Sequence, residues 1–259
     1  MFVDSHCHLD RLDLSAHNNS LDPVLEAAAE RNVSRMLCVA IDMQLFPEMY
    51  SKVAALDNVF ASVGVHPMHV EQGLIEIEQL LQYATDPKIV ALGETGLDYF
   101  YQKDNAELQQ ESFVRHLKAS AQSRLPVIVH TREAREDTIS LLKQHADTGV
   151  GGVLHCFTES WEMARQALDL NYSISFSGII TFRNAAELRE VVRQVPLENI
   201  LIETDAPYLT PVPFRGKPNE PQYVVEVAQC VADIKGISIE QVAEITTANF
   251  DRIFPKAAL

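Results

Sequence analysis

Eight short apolar runs, each bounded by Gly, Pro or polar residues, alternate with longer amphipathic stretches along the 259 residues. The runs read as strands at Met1–Ser5, Met36–Ala40, Val59–Val65, Ile89–Gly93, Pro126–Val129, Gly152–Leu154, Ser173–Phe176 and Ile200–Glu203. Helical patterns fill the gaps: one opening at Asp22-Pro23, then Asp104–Arg124, Glu133–Gln144, Ser160–Leu170, Arg183–Val195, Pro221–Ile234, and a last one from Ser238 with Gln241 in the capping-box position. Parallel strands need crossover connections, usually helical, and eight βα units of this size amount to the length of a TIM barrel. The fold expected is therefore α/β, a (β/α)8 barrel over residues 1–259 as one domain. An open doubly wound sheet is the alternative, but no Gly-x-Gly-x-x-Gly follows any strand.

The strand ends carry the chemistry. The first run leads into Asp4-Ser5-His6-Cys7-His8, the third into His66-Pro67 and the fourth into Glu94-Thr95-Gly96-Leu97-Asp98. The fifth, sixth and eighth lead into His130-Thr131-Arg132, His155-Cys156-Phe157 and Glu203-Thr204-Asp205. In a parallel barrel these ends converge on one rim, where barrel enzymes place their sites. Strand alternation turns His6 and His8 the same way, with Asp4 beneath His6 and Glu203 beneath Asp205 as hydrogen-bonding supports. Cys7 and Cys156 then face the helix layer, as small buried hydrophobes rather than thiolate ligands.

A lone histidine at a strand end is ordinarily a hydrogen-bonded structural residue. Several independent strands ending in ligand types make a metal site the better reading. His6, His8, His130 and His155 with Glu94 and Asp205 are too many for one tetrahedral ion but suit two, with Glu94 as the bridge. The ions expected are Zn, Mn, Mg, Co or Ni, and Asp205 and Glu94 are the candidate catalytic residues. His17, His116 and His145 lie in helical or loop text and read as surface residues; His69 reads as structural. Arg215 lies in the longest irregular stretch, Ala206–Pro221, which five prolines stiffen.

Charge limits the partners. Twenty-one Lys plus Arg against 36 Asp plus Glu leave a net charge of −15, which excludes a protein that coats long duplex nucleic acid through a basic face. It says little about a nuclease whose ions supply the positive charge locally. No apolar run approaches a membrane span, the N-terminal residues lack a basic signal-peptide region, and four cysteines in no CxxC pairing do not make a disulfide framework. The expectation is a cytoplasmic protein with no membrane association and no obligate protein partner.

Taken in order, the segments VDSHCHLD, GVHP, ALGETGLDYFY, PVIVHTR, GVLHCF, SFSGIITF and IETDAPYL, with the RGKPNEP loop, resemble the TatD family of metal-dependent hydrolases from residue 2 to about Phe254. The resemblance implies an amidohydrolase-like barrel, a dinuclear metal centre and exonuclease-like DNase activity. It implies that His6, His8, Glu94 and Asp205 hold one ion and Glu94, His130 and His155 the other. His66, Arg132 and Arg215 are then candidates for phosphate contacts, and Tyr99, Phe100 and Tyr101 for stacking a terminal base of single-stranded or frayed DNA. A second hypothesis keeps the metals and changes the bond, to an amide or carboxyl ester of a small molecule or an aminoacyl-tRNA. Many such barrels bridge their ions with a carbamylated lysine after strand four, where this chain has Glu94 and places Lys88 before the strand. A non-catalytic binding protein would be expected to have lost a ligand or Asp205, and all are present.

Overall fold

A computed structural model describes residues 1–258. Its eight parallel strands run in sequence order around a single sheet: β1 (Phe2–Cys7), β2 (Val33–Cys38), β3 (Val59–Val63), β4 (Ile89–Asp98), β5 (Val127–Arg132), β6 (Gly152–Leu154), β7 (Tyr172–Phe176) and β8 (Ile200–Ile202). At the rim the chain after β8 meets β1, through Asp205 N–H to His6 O (2.9 Å) and His8 N–H to Ala206 O (2.8 Å). This is the (β/α)8 barrel the alternation predicts. The helices are α1 (Asp22–Glu30), α2 (Phe46–Val53), α3 (Ile77–Tyr83), α4 (Ala106–Ser123), α5 (Arg135–His145), α6 (Trp161–Asp169), α7 (Ala186–Gln194), α8 (Val224–Lys235) and α9 (Ile239–Ile253). Pro in the first turn opens α1, Ser160 caps α6, and Ser238 with Gln241 forms the expected capping box of α9. Helices α2 and α3, of eight and seven residues, are too short for a helical period to show in the sequence. Among the described residues, no helix is long and apolar enough to cross a membrane.

Two apolar layers result. The larger lies between sheet and helices; the smaller fills the barrel with Val3, Leu37, Val39, Ile128, Val153 and Leu201 and is closed from below by Phe250, Phe254 and Ala257. Inward residues therefore share a parity with Val3 on β1, Ile128 on β5, Val153 on β6 and Leu201 on β8. On β5 and β6 the same parity carries inward to His130 and His155.

On β1 and β4 simple alternation fails. Asp4 pairs with Met36 but Cys7 with Cys38, so β1 holds one residue more than β2 in that interval. Leu92 pairs with Val127 but Thr95 with Val129, so β4 gains one residue over β5. Each extra residue flips the pattern, as a bulge does, and turns His6, His8 and Glu94 inward. Asp4 stays on the other side of the switch. It accepts the Thr204 N–H (2.9 Å) and hydroxyl (2.5 Å) and, at 3.4 Å, the His6 backbone N–H, so it steadies His6 through the main chain and not from beneath its ring. Gly93, at φ +133, allows the β4 irregularity: a Cβ there would lie 2.6 Å from Ile128 O.

Candidate metal centre

Glu94 is the hub of the rim. Its Oε2 lies 2.5 Å from His155 Nε2 and 3.8 Å from His6 Nε2, while Oε1 lies 4.0 Å from His8 Nε2 and 3.9 Å from His66 Nε2. Asp205 Oδ1 stands 3.3 Å from His8 Nε2 and 3.8 Å from His6 Nε2. His66, Glu94 and His130 also bring ligand atoms within 4.8 Å of one another. All six ligand candidates thus meet in one cluster.

Most of these groups are turned by a fixed neighbour. His8 Nδ1 lies 2.9 Å from the Val39 carbonyl, which fixes Nδ1–H and leaves the Nε2 lone pair facing inward. His130 Nε2 lies 3.2 Å from Asp98 Oδ2. Glu203 supports His155, not Asp205 as parity suggested: Oε1 lies 3.4 Å from His155 Nδ1 and accepts the Cys156 N–H (2.7 Å), and Oε2 accepts the Ser175 hydroxyl (2.5 Å). Asp205 itself turns away because its backbone is left-handed, at φ +56. His66 differs from the other imidazoles. Its Nδ1 accepts the Met68 N–H (3.1 Å), so in the neutral ring the proton sits on Nε2, aimed at the cluster as a donor rather than as a ligand.

The electrostatics fit a cation. Burial pushes the pKa of Glu94 up, yet His155, His66 and His6 outweigh it and hold the carboxyl well below its usual range. Burial pushes His155 down, but Glu94 and Glu203 carry it well above its ordinary value. Burial and the neighbouring His155 push His6 well below; burial also takes His66 down to about 3, with Glu94 only partly offsetting it. Hydrogen bonding tells the same story. Among the described residues, buried side-chain atoms without a partner include His6 Nδ1, Glu94 Oε2, and both His155 nitrogens. Buried polar groups are almost always satisfied, and Glu94 Oε2 faces His155 Nε2 at 2.5 Å without hydrogen-bond alignment. The atoms that do converge, Glu94 Oε2 with the Nε2 atoms of His155 and His6 and Asp205 Oδ1 with His8 Nε2, are a donor set that suits divalent ions of the imidazole-binding kind.

The remaining predicted residues divide. Arg132 is exposed, its guanidinium 4.2 Å from the Phe100 ring centre and 4.7 Å from that of Tyr101. Arg215 stacks at 4.1 Å on Phe182 and donates to Thr210 O. Tyr99 turns aside: its hydroxyl donates to Asp137 Oδ2 (2.7 Å) and accepts from Gln110 Nε2 (2.7 Å). Of the three neighbouring aromatics, Phe100 and Tyr101 are the exposed ones. Lys88 binds the carbonyls of Leu56 and Val59 near the starts of the strands, far from the bridging position. Cys7 and Cys38 are buried free thiols, Cys7 in the outer layer as expected.

His116 is a correction. It is fully buried on α4, where Nε2 accepts the Val65 N–H (3.2 Å) and Nδ1–H donates to Ser112 O (2.8 Å), steadying the chain just before His66. The signal was legible, since His116 shares a helical face with Ser112 and Phe113. Asp98, not singled out from the sequence, joins the site through His130. A cavity of about 350 Å³ beside the cluster is lined by Asp10, Arg11, Leu45, Glu48 and Tyr208, and the Tyr208 ring lies edge-on to His8 at 6.2 Å.

Fold and site together define a metal-dependent hydrolase built on a (β/α)8 barrel. The family described as TatD related DNase matches residues 3–255. The uncharacterized metal-dependent hydrolase YcfH of Escherichia coli is 49% identical over 252 residues, covering 97% of this chain and 95% of its own. YabD of Bacillus subtilis, also named an uncharacterized metal-dependent hydrolase, is 38% identical over 258 residues, 98% of this chain and 99% of its own. The crystal structure of YjjV, a TatD homologue from Escherichia coli, superposes with a TM-score of 0.89 at 30% identity, covering 98% of each chain. The chain belongs to the TatD family of metal-dependent hydrolases.

Proposed function

We propose that the protein is a divalent-metal-dependent phosphodiesterase that removes nucleotides from DNA. The observation that carries this reading is the gathering of four imidazoles and Asp205 around Glu94, with Glu94 Oε2 and His155 Nε2 buried there without a hydrogen-bond partner. The description of the matching family supplies the DNA. His6, His8, Glu94 and Asp205 would hold one ion, and Glu94, His130 and His155 a second. When bound, such ions lower the pKa of a coordinated water toward neutrality and offset charge on a phosphoryl group.

The chain's own groups do the rest. Asp205 directs Oδ1 at His6 and His8 and is partly open to solvent, which leaves Oδ2 to accept the proton of the attacking water. His66 is held neutral with Nε2–H pointing into the site, so it donates to a phosphoryl oxygen without adding charge. Glu203 and Asp98 keep His155 and His130 in orientation. Arg132 and Arg215 present guanidinium groups to neighbouring phosphates.

The test is nucleotide release from end-labelled single-stranded DNA in EDTA, then with Mg, Mn, Co or Zn added back, beside Asp205→Asn. Metal-restored release that disappears in the variant supports the reading, and the labelled end reports the polarity. No release from a protein shown to bind metal rejects the DNA substrate. It turns the search to phosphomonoesters, carboxyl esters and amides.

A further inference from the structure

Arg132 stands apart from most arginines of this acidic protein. Arg31 pairs with Glu226, Arg35 with Asp251, Arg115 with Glu76 and Glu111, and Arg124 with Asp147. Among the described residues the Arg132 guanidinium has neither a carboxylate nor a hydrogen-bond partner. Its guanidinium rests instead against the rings of Phe100 (4.2 Å) and Tyr101 (4.7 Å). Those rings are 50% and 57% exposed, unusual for large apolar side chains, and meet edge to face at 4.7 Å. Stacking of this kind fixes the plane of a guanidinium and leaves its N–H donors free.

The group is also tied to the metal centre. Asp98 Oδ1 accepts the N–H of Phe100 (3.0 Å) and of Tyr101 (2.9 Å), while Oδ2 of the same carboxylate lies 3.2 Å from His130 Nε2. Gln109 locks the segment, accepting the Asp98 N–H (2.7 Å) and donating to the carbonyls of Asp98 (3.2 Å) and Gln102 (2.8 Å). Arg132 follows His130 by two residues on β5 and pairs in register with Asp98. One buried carboxylate therefore holds a ligand histidine and the backbone that carries both rings.

We infer that Phe100, Tyr101 and Arg132 form a nucleotide-binding clamp, separate from the metal ligands, that takes the unpaired nucleotide next to the scissile phosphodiester. An open ring stacks its base and the guanidinium holds its phosphate. The inference rests on the phosphodiesterase reading and adds its selectivity. A net charge of −15 repels a polyanion from most of the surface. An aromatic-propped cation beside the metal centre offers what an unpaired strand needs, a π-face and a phosphate donor. A paired base hides its face in the stack, and a phosphomonoester or small ester has no neighbouring nucleotide to offer.

Binding is measured by fluorescence anisotropy with a labelled short oligothymidylate and the full-length protein in EDTA, which stops cleavage. Turnover is measured with metal on the same oligonucleotide and on bis(p-nitrophenyl) phosphate. Arg132→Gln and the double variant Phe100→Ala/Tyr101→Ala are each expected to weaken oligonucleotide binding about tenfold or more. They should lower the ratio of kcat/KM for oligonucleotide over the small diester by a similar factor, mainly through KM. Arg132→Lys, which keeps charge but loses planarity, falls between. Equal affinities in wild type and variants overturn the clamp even if DNA is degraded. So does a wild type that hydrolyses the small diester but neither binds nor degrades the oligonucleotide. Clamp-dependent binding without hydrolysis of either substrate under any metal keeps the clamp and rejects the phosphodiesterase.

Discussion

The two ends of the barrel are built from the same strands to opposite rules. At the floor, where the strands begin, polar groups find partners. Lys256 donates to the carbonyls of Ala84, Asp86 and Ile89; Arg35 binds Asp251 and the Ala257 carbonyl; Asn249 binds the carbonyls of Leu197 and Ile200. The C-terminal segment seals this end with Phe250 and Phe254, both fully buried. At the rim, buried nitrogens and a carboxylate oxygen lack partners and large rings face solvent, while left-handed backbone occurs at both ends, at Asp205 and Cys156 on the rim and at Asn32, Arg124 and Asn171 near the floor. Unsatisfied and strained groups cost stability and persist only where the rest of the structure holds them in place. The floor supplies that support, and the rim carries the chemistry.

The sharpest way to break this division is Asp205→Asn. It should lower kcat about 10²- to 10⁴-fold, with the apo-protein's thermal midpoint nearly unchanged. A large drop in the midpoint would show that the rim also carries stability. Phe254→Ala is the converse. Removing a buried ring that packs 4.9 Å from Phe250 should cost about 3–5 kcal/mol in urea unfolding, while kcat at 25 °C stays within about twofold. Loss of turnover in a still-folded variant would refute the separation.

His116 tests the layer between the two ends. Burial takes its pKa from 6.5 down to about 4, so its contribution is complete above pH 6.5 and fades as pH falls toward 4, where the unfolded chain is protonated and the folded one is not. At 1.36 kcal/mol per unit that is about 3 kcal/mol. The loss of unfolding free energy between pH 7.5 and 4 should therefore be smaller by about that amount in His116→Gln. An unchanged pH dependence would mean that His116 is not held neutral. The smallest effect belongs to the supports: Glu203→Gln and Asp98→Asn should each weaken metal affinity about 10- to 100-fold in a chelator competition, with the fold intact.

Much of this was legible in the residues. Short Val- and Ile-rich runs between amphipathic stretches dictate βα units, and eight of them dictate a barrel, because parallel strands need crossovers. The ligand types at the strand ends, from His6 to Asp205, could be named for the same reason: a parallel barrel brings every C-terminal strand end to one rim. Local capping chemistry was plain at Ser238, whose box with Gln241 involves only its own turn, whereas Asp22 lies inside α1 and caps nothing.

What the tertiary structure alone decided concerns direction. The inserted residues in β1 and β4 show only in register against β2 and β5, and they turn His6, His8 and Glu94 inward while leaving Asp4 to Thr204. The assignments of Glu203 to His155, of Tyr99 to Asp137 and of Asp98 to His130 join residues from different βα units, while the same Asp98 also holds the Phe100–Tyr101 backbone of its own loop. The chemistry of a side chain is local and written in its identity. Its aim is set by hydrogen bonds to neighbours distant in sequence, which exist only once the barrel has closed.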